Sequence, residues 1–160
     1  MNSTVEILLA TETEIETAVE LIYASFLYHE KIDKLLLIND ATRMNIKQEN
    51  LKRFANPNFK IFLAKTENRF VGIITLYVQS IPHINPNKKF LRIEDLFVVA
   101  ECRNRGVAKQ LMDKCYLFAR EAGIENLSLN VLSNNEAAVA FYKKMGFETS
   151  ALKMAKHLSS

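Results

Sequence analysis

The sequence predicts one domain of mixed α/β fold, and three observations predict it. Its 160 residues match the length of a single domain, taken as residues 1–160. Apolar residues make up 49% and charged residues 24%, the proportions of an ordinary globule. Stretches of period-two apolar alternation trade places with stretches of helical period. The chain then ends in a strand-helix-strand-helix run that calls for a parallel strand pair.

Val5, Ile7 and Leu9 alternate as a short first strand. Thr13 and Glu16 have the spacing of a capping box. Ile15, Ala18, Val19, Ile22, Tyr23, Phe26 and Leu27 then fall on one face of a helix over residues 14–28. HEKIDKLLLIND reads as an irregular connection and ATRMNIKQENLKRFA as a second helix. That helix must stop before Asn56-Pro57, because proline disfavours helical geometry in the residue before it. NFKIFLAK and RFVGIITLYVQ flank the polar turn TEN as a hairpin, and Pro82 and Pro86 mark a loop. FLRIEDLFVV is the next strand, and Val107, Leu111, Cys115, Phe118 and Ala122 form the stripe of a third helix. NLSLNVL follows as a strand, NEAAVAFYKKM as a helix, and FETSALKMAK as a last strand.

Composition narrows the function. No apolar run approaches the ~18 residues of a membrane helix, and MNSTVEI has no secretory pattern. Cys102 and Cys115 form no CxxC, so neither a disulfide scaffold nor a cysteine-built metal site is expected, and the default is a reduced, cytoplasmic protein without metal. Residues 1–60 hold seven Lys/Arg against nine Asp/Glu, and the first thirty hold six Glu and no Lys or Arg; the basic excess lies in the remainder. That division suits an anionic ligand at one end and a cationic one at the other; the plainer reading, and the favoured one, is solvated faces and glutamates placed at helix starts. A nucleic-acid partner would require a denser basic stripe or a known motif, and neither is present.

Gly123 and Gly146 follow helices where positive φ is needed, and Gly72 inside a strand points to a bulge or a close backbone approach. Gly106 differs, since it precedes a helix in Arg103-Asn104-Arg105-Gly106-Val107-Ala108. The first N–H groups of a helix have no intrahelical partners, and the helix dipole favours an anion there. Gly106 and the small Ala108 let a phosphate approach, while Arg103, Arg105 and Lys109 add charge. A tight strand-to-helix turn accounts for Gly106 as well. Neither GxxxxGK[ST] nor GxGxxG is present.

This loop resembles the R/Q-x-x-G-x-G/A loop of the GNAT acetyl-CoA-dependent N-acetyltransferases. IEDLFVV before it and NEAAVAFYKKMGF after the next strand are similar too, with Asn135 seven residues before Tyr142. The resemblance runs over residues 90–147, and the IEDLFV strand is closest to the diamine (spermidine/spermine) branch. It implies a central, mostly antiparallel sheet with one splayed parallel strand pair and helices on both faces. It also implies acetyl-CoA as cosubstrate. The pantetheine arm would lie along Leu96, Phe97 and Val98, the pyrophosphate on Arg103, Asn104, Arg105, Gly106, Val107, Ala108 and Lys109, and the coenzyme against Asn135, Ala138 and Tyr142.

Each role has a plainer counterpart. Glu94 and Asp95 are adjacent carboxylates in an apolar strand, where alternation sends them to opposite faces. An alkylammonium of pKa about 10 must lose a proton before it attacks a thioester. Glu94 matches the family's base-like position, and Asp95 would bind substrate; an ion pair of Glu94 with Arg92, or a solvent-facing edge, is the alternative. Tyr142 would protonate the departing thiolate, or else is a core tyrosine with a tied hydroxyl. Asn135 caps its helix in either case. His29 and His83 fall in loops near the acceptor entrance, as proton-transfer or surface histidines. Both cysteines read as structural, which sets aside an acyl-cysteine route.

The implied function is acetyl transfer from acetyl-CoA to a primary amine of a small, cationic, polyamine- or diamine-like acceptor by direct attack. Transfer to a protein N-terminus, an amino acid or an aminoglycoside is the alternative within the class, and a non-catalytic acyl-CoA sensor lies outside it. The resemblance extends to relatives that pair as homodimers.

Overall fold

A computed structural model of the chain describes residues 4–33, 36, 38–67, 69–81, 85–154, 156 and 158. They divide into two compact units between Asn130 and Val131.

The first unit is a five-stranded sheet of order β1-β2-β3-β4-β5 with three helices. The strands are β1 (Val5–Leu9), β2 (Phe59–Thr66), β3 (Arg69–Ile81), β4 (Asn85–Val98) and β5 (Asn126–Leu129). The first four pair antiparallel, and β5 joins β4 in parallel over Phe90↔Asn126 to Ile93↔Leu129. The mixed sheet and its parallel pair are as the sequence predicts. The helix α3 (Val107–Glu121) is the crossover between β4 and β5.

Helices cover both faces. Ala18, Val19, Leu21 and Ile22 of α1 (Ile15–Glu30) and Ile46 of α2 (Asp40–Phe54) share a buried cluster with Phe59, Ile61, Leu63, Ile73 and Phe97. On the other face, Phe118 of α3 meets Phe62 edge-on with ring centroids 6.1 Å apart. Leu111 of α3 reaches Gly72, where an added Cβ would lie 3.2 Å from its Cδ1 and 3.1 Å from the Phe97 carbonyl oxygen. Close approach therefore explains Gly72, and Val71 beside it is the unpaired residue of a bulge opposite Ala64/Lys65. Val107, Leu111 and Cys115 form the buried stripe of α3 as expected, but Ala119 continues it, with Phe118 half-buried and Ala122 exposed.

Several boundaries differ from the sequence reading. The capping box belongs to Thr11 and Glu14, on a short 3-10 turn (Glu12–Glu14) before α1, because both Thr11 groups find Glu14 there. His29 is in the last turn of α1 rather than in a loop. β4 starts at Asn85, so Pro86 lies in a strand; Pro82, His83 and Asn68 fall outside the described residues. β5 ends at Leu129, short of the predicted Leu132. Among the described residues no helix is long and apolar enough to cross a membrane.

The second unit contains α4 (Glu136–Lys144). Asn135 caps it, with Oδ1 accepting the Ala138 N–H at 3.3 Å, and Gly146 follows with φ of 89°. The last strand expected in FETSALKMAK is not formed over residues 147–154, where Leu152 and Met154 face solvent and no strand partner is present among the described residues.

Candidate functional site

Between β4 and α3 the chain makes a 3-10 turn (Ala100–Cys102) and then four irregular residues. Asn104 at φ 58° and Gly106 at φ 80° reverse its direction twice within three residues. Gly106 is the N-cap of α3 and offers no side chain to the helix front, so the first bonded N–H is that of Gln110, on the Gly106 carbonyl. Among the described residues, the N–H groups of 104–109 have no hydrogen-bond acceptor. A helix of 15 residues opening on unclaimed donors fits a multi-oxygen anion such as the diphosphate of acetyl-CoA. A Cβ at Gly106 would meet nothing within 4 Å among the described residues beyond its own stretch of chain, so the backbone angle is what calls for glycine in this loop.

The charged side chains of the loop divide. Arg105 is exposed beside the helix front. Lys109 is paired with Asp113 one turn on, Nζ to Oδ2 at 2.7 Å. Arg103 turns away: its Nε donates to the Val98 carbonyl at 2.9 Å, and its guanidinium lies 4.4 Å from the Tyr28 ring centroid and 5.6 Å from that of Phe97.

The decisive feature of β4 is a second bulge. Leu76 pairs with Ile93 and Thr75 with Asp95, leaving Glu94 without a partner on β3. The extra residue breaks alternation, so the expectation that Glu94 and Asp95 face opposite ways is corrected. Arg92 opposes Tyr77 and Asp95 opposes Thr75, both on the face beneath α1 and α2, and Glu94 is ion-paired with Arg92. The pair foreseen as the plainer reading of Glu94 is thus present. Pairing with β5 stops at Ile93, immediately before the bulge, so Glu94, Asp95, Leu96, Phe97 and Val98 have no strand partner on that edge among the described residues.

Asp95 receives a hydrogen bond from Thr75 Oγ1 to Oδ2 at 2.6 Å. Burial pushes its carboxyl above the ordinary aspartate range. The Thr75 hydroxyl, Arg53 and His29 draw it partly back, while Glu94 adds to the rise. His29 places Nδ1 3.4 Å from Ser25 Oγ on the preceding turn of α1. Thr75 and Arg53 were missed by sequence reasoning; a threonine inside an apolar strand was the only signal, and the register that pairs it with Asp95 is a property of the folded sheet. Cys115 is a buried free thiol pushed up to about 12 by burial, which leaves it un-ionised at neutral pH. Among the described residues no group of three or more His, Cys, Asp and Glu could hold a metal ion.

In the second unit, Asn135 is buried, and Ala138 and Tyr142 follow it at steps of three and four along one face of α4. Tyr142 is half-buried, edge-on to Phe141 at 5.4 Å and to Phe147 at 5.8 Å.

The sequence profile of the acetyltransferase (GNAT) family matches residues 22–147. The chain belongs to that family. Among its GNAT relatives, an uncharacterized N-acetyltransferase of Methanocaldococcus jannaschii is 28% identical over 106 residues, 61% of this chain and 46% of that protein. N-acetyltransferase 8 of Homo sapiens is 31% identical over 87 residues, 54% of this chain and 37% of that protein. Streptothricin acetyltransferase of Streptomyces lavendulae is 40% identical over 57 residues, 36% of this chain and 30% of that protein. The matched stretch thus spans less than half the length of each of these three relatives. Two solved structures share the GNAT fold. The aminoglycoside acetyltransferase meta-AAC0020 from an uncultured soil metagenomic sample has a TM-score of 0.73 and 23% identity, with 97% of each chain covered. The aminoglycoside N-acetyltransferase AAC(6')-Iy in complex with CoA has a TM-score of 0.76 and 16% identity, with 99% of this chain and 97% of that one covered.

Proposed function

We propose that this chain transfers the acetyl group of acetyl-CoA to a primary amine of a small, cationic acceptor by direct attack. One observation carries the reading. The bulge at Glu94 ends the pairing of β4 with β5 and turns two carboxylates to the α1/α2 face, on the strand that leads into the open front of α3. Acetyl-CoA supplies the activated thioester. The N–H groups of residues 104–109 hold its diphosphate, and the stretch Leu96, Phe97 and Val98, beyond the end of the β5 pairing, lies along its pantetheine arm.

An aliphatic ammonium with pKa about 10 exposes a nucleophilic lone pair in only about one molecule in a thousand at neutral pH. Glu94 takes up the proton that the ammonium releases, and Asp95 holds the positive charge of the acceptor as it arrives. Tyr142 supplies the proton for the departing thiolate, a role resting on the spacing from Asn135 to Tyr142. The carboxylate pair supports a polycationic acceptor of the polyamine or diamine class. The streptothricin and aminoglycoside names among the relatives support the same chemistry, several amines on a compact molecule. Both cysteines are free, which supports a reducing, cytoplasmic setting.

The test is thiol release from acetyl-CoA across spermidine, aminoglycosides, amino acids and short peptides. Release with a polyamine or an aminoglycoside, in preference to neutral amines, is the expected result. Tight coenzyme binding with no thiol release from any amine would replace the enzyme with an acyl-CoA sensor.

A further inference from the structure

Arg103 belongs by sequence to the phosphate loop, yet its side chain is spent elsewhere. The Val99 N–H bonds the Val71 carbonyl of β3 at 2.9 Å. Neighbouring residues of a strand direct their backbone groups to opposite edges, so the Val98 carbonyl points to the edge that β5 has left. Arg103 Nε fills that carbonyl at 2.9 Å. Its guanidinium is stacked between Tyr28, in the last turn of α1, and Phe97 of β4. A planar, weakly hydrated guanidinium suits this setting of two ring faces and one carbonyl, and an ammonium does not reproduce it.

What the clamp joins gives it a function. On one side are Tyr28 and its neighbour His29, whose rings meet edge-on at 5.7 Å. On the other side is the end of β4, with Phe97 two residues beyond Asp95 on the same face. His29 is among the groups that lower the Asp95 carboxyl across this gap. We propose that Arg103 is a positioning residue for the acceptor amine and not a ligand of the coenzyme phosphates: it fastens the end of α1, bearing His29, to the end of β4, bearing Glu94 and Asp95. The inference rests on the acetyltransferase reading for its kinetic consequences and on geometry alone for its structural one.

The experiment compares the full chain with Arg103→Gln, Arg103→Lys and Tyr28→Leu, the last removing the α1 half of the clamp without touching the loop. Calorimetry gives the acetyl-CoA Kd, and steady-state rates give kcat and KM for the best amine of the panel. In all three variants the coenzyme Kd stays within about twofold while the amine KM rises about tenfold, the scale of a single cation–π contact or hydrogen bond. Weaker coenzyme binding with an unchanged amine KM in Arg103→Gln would make Arg103 a phosphate ligand and overturn the proposal. Restoration of the amine KM by Arg103→Lys would overturn it as well, because the stacked fork would then be dispensable. Hydrogen exchange over residues 26–30 reads the clamp with no substrate present. It quickens in Arg103→Gln; unchanged exchange defeats the proposal, whereas a wild-type chain that acetylates no amine defeats only the function.

Discussion

Thr75 on β3 donates its hydroxyl to Oδ2 of Asp95 on β4, at 2.6 Å, across the register that the Glu94 bulge creates. Thr75 is fully buried, so its hydroxyl has no water to fall back on and is satisfied by Asp95. The bond holds one carboxyl oxygen in place. Burial simultaneously makes the charged form of that carboxyl costly, which is the setting in which a group titrates away from its ordinary range.

Asp95→Asn is expected to stabilise the fold at neutral pH. The folded carboxyl titrates above its unfolded value of 3.8, so the native state binds the proton more tightly. Stability from this group is complete below 3.8 and is lost as pH rises through the folded pKa. Asparagine is neutral throughout, and its carbonyl still accepts from Thr75. Melting curves should show the variant above wild type at pH 7 and the gap closing toward pH 3.5. An equal gap at both values would mean that Asp95 pays no cost for its charge in the fold.

Thr75→Val removes the donor while keeping the shape. The hydroxyl lowers the Asp95 carboxyl, so its loss lets burial raise that group further. The acid limb of kcat/KM against pH should move to higher pH, and Thr75→Ser should return it. The stability cost should be about 1–3 kcal/mol, that of leaving a buried acceptor unmatched. An acid limb that stays in place in Thr75→Val would remove Asp95 from the pH dependence of the reaction.

The same change at two glycines should act for two different reasons. Gly72→Ala puts a methyl 3.1 Å from the Phe97 carbonyl and 3.2 Å from Leu111, and backbone cannot yield as a side chain tip does. A loss of about 1–3 kcal/mol in denaturant unfolding is expected. Conversion of Leu111 to alanine in the same chain should recover only part of it, because the Phe97 carbonyl remains.

Gly106→Ala meets no neighbour, and its cost is the backbone angle of 80°, about 1–2 kcal/mol. The added methyl also stands at the open front of α3. The rise in Tm produced by saturating acetyl-CoA should therefore shrink in this variant. A coenzyme-induced rise equal to that of wild type would leave Gly106 with the turn alone.

Local signals made much of this fold legible. The periods that mark α1, α3 and the β2–β3 hairpin come from side chains within a few residues of one another, and burial of Val107, Leu111 and Cys115 follows from their spacing. The loop at Gly106 was legible for a similar reason, since a glycine before a helix is a local event. The site on β4 was legible only in part. Glu94 and Asp95 stood out as candidates because they are carboxylates in an apolar strand, but their common face depends on one extra residue in the β3–β4 register, and no local pattern reports that. The partners of Arg103 were hidden for the same reason: its loop suggests phosphate, and Tyr28 and Phe97 are brought to it by the tertiary fold. The expected last strand after Phe147 failed because apolar alternation promises a strand only where a neighbour offers a ladder.

Tyr142→Phe isolates the phenol proton. The ring contacts with Phe141 and Phe147, at 5.4 Å and 5.8 Å, are those of a hydrocarbon ring and survive the change. The turn after α4, closed by the Phe147 N–H on the Tyr142 carbonyl at 3.0 Å, is backbone and is untouched. Folding and acetyl-CoA affinity should therefore match wild type, while turnover should fall by about 10²–10⁴-fold, the range of a general acid. A thiolate needs its proton less as pH falls, so the deficit should narrow on the acid side of the profile. Thiol-release rates in the variant equal to wild type across pH would take the acid role from Tyr142 and leave it a packing residue of α4.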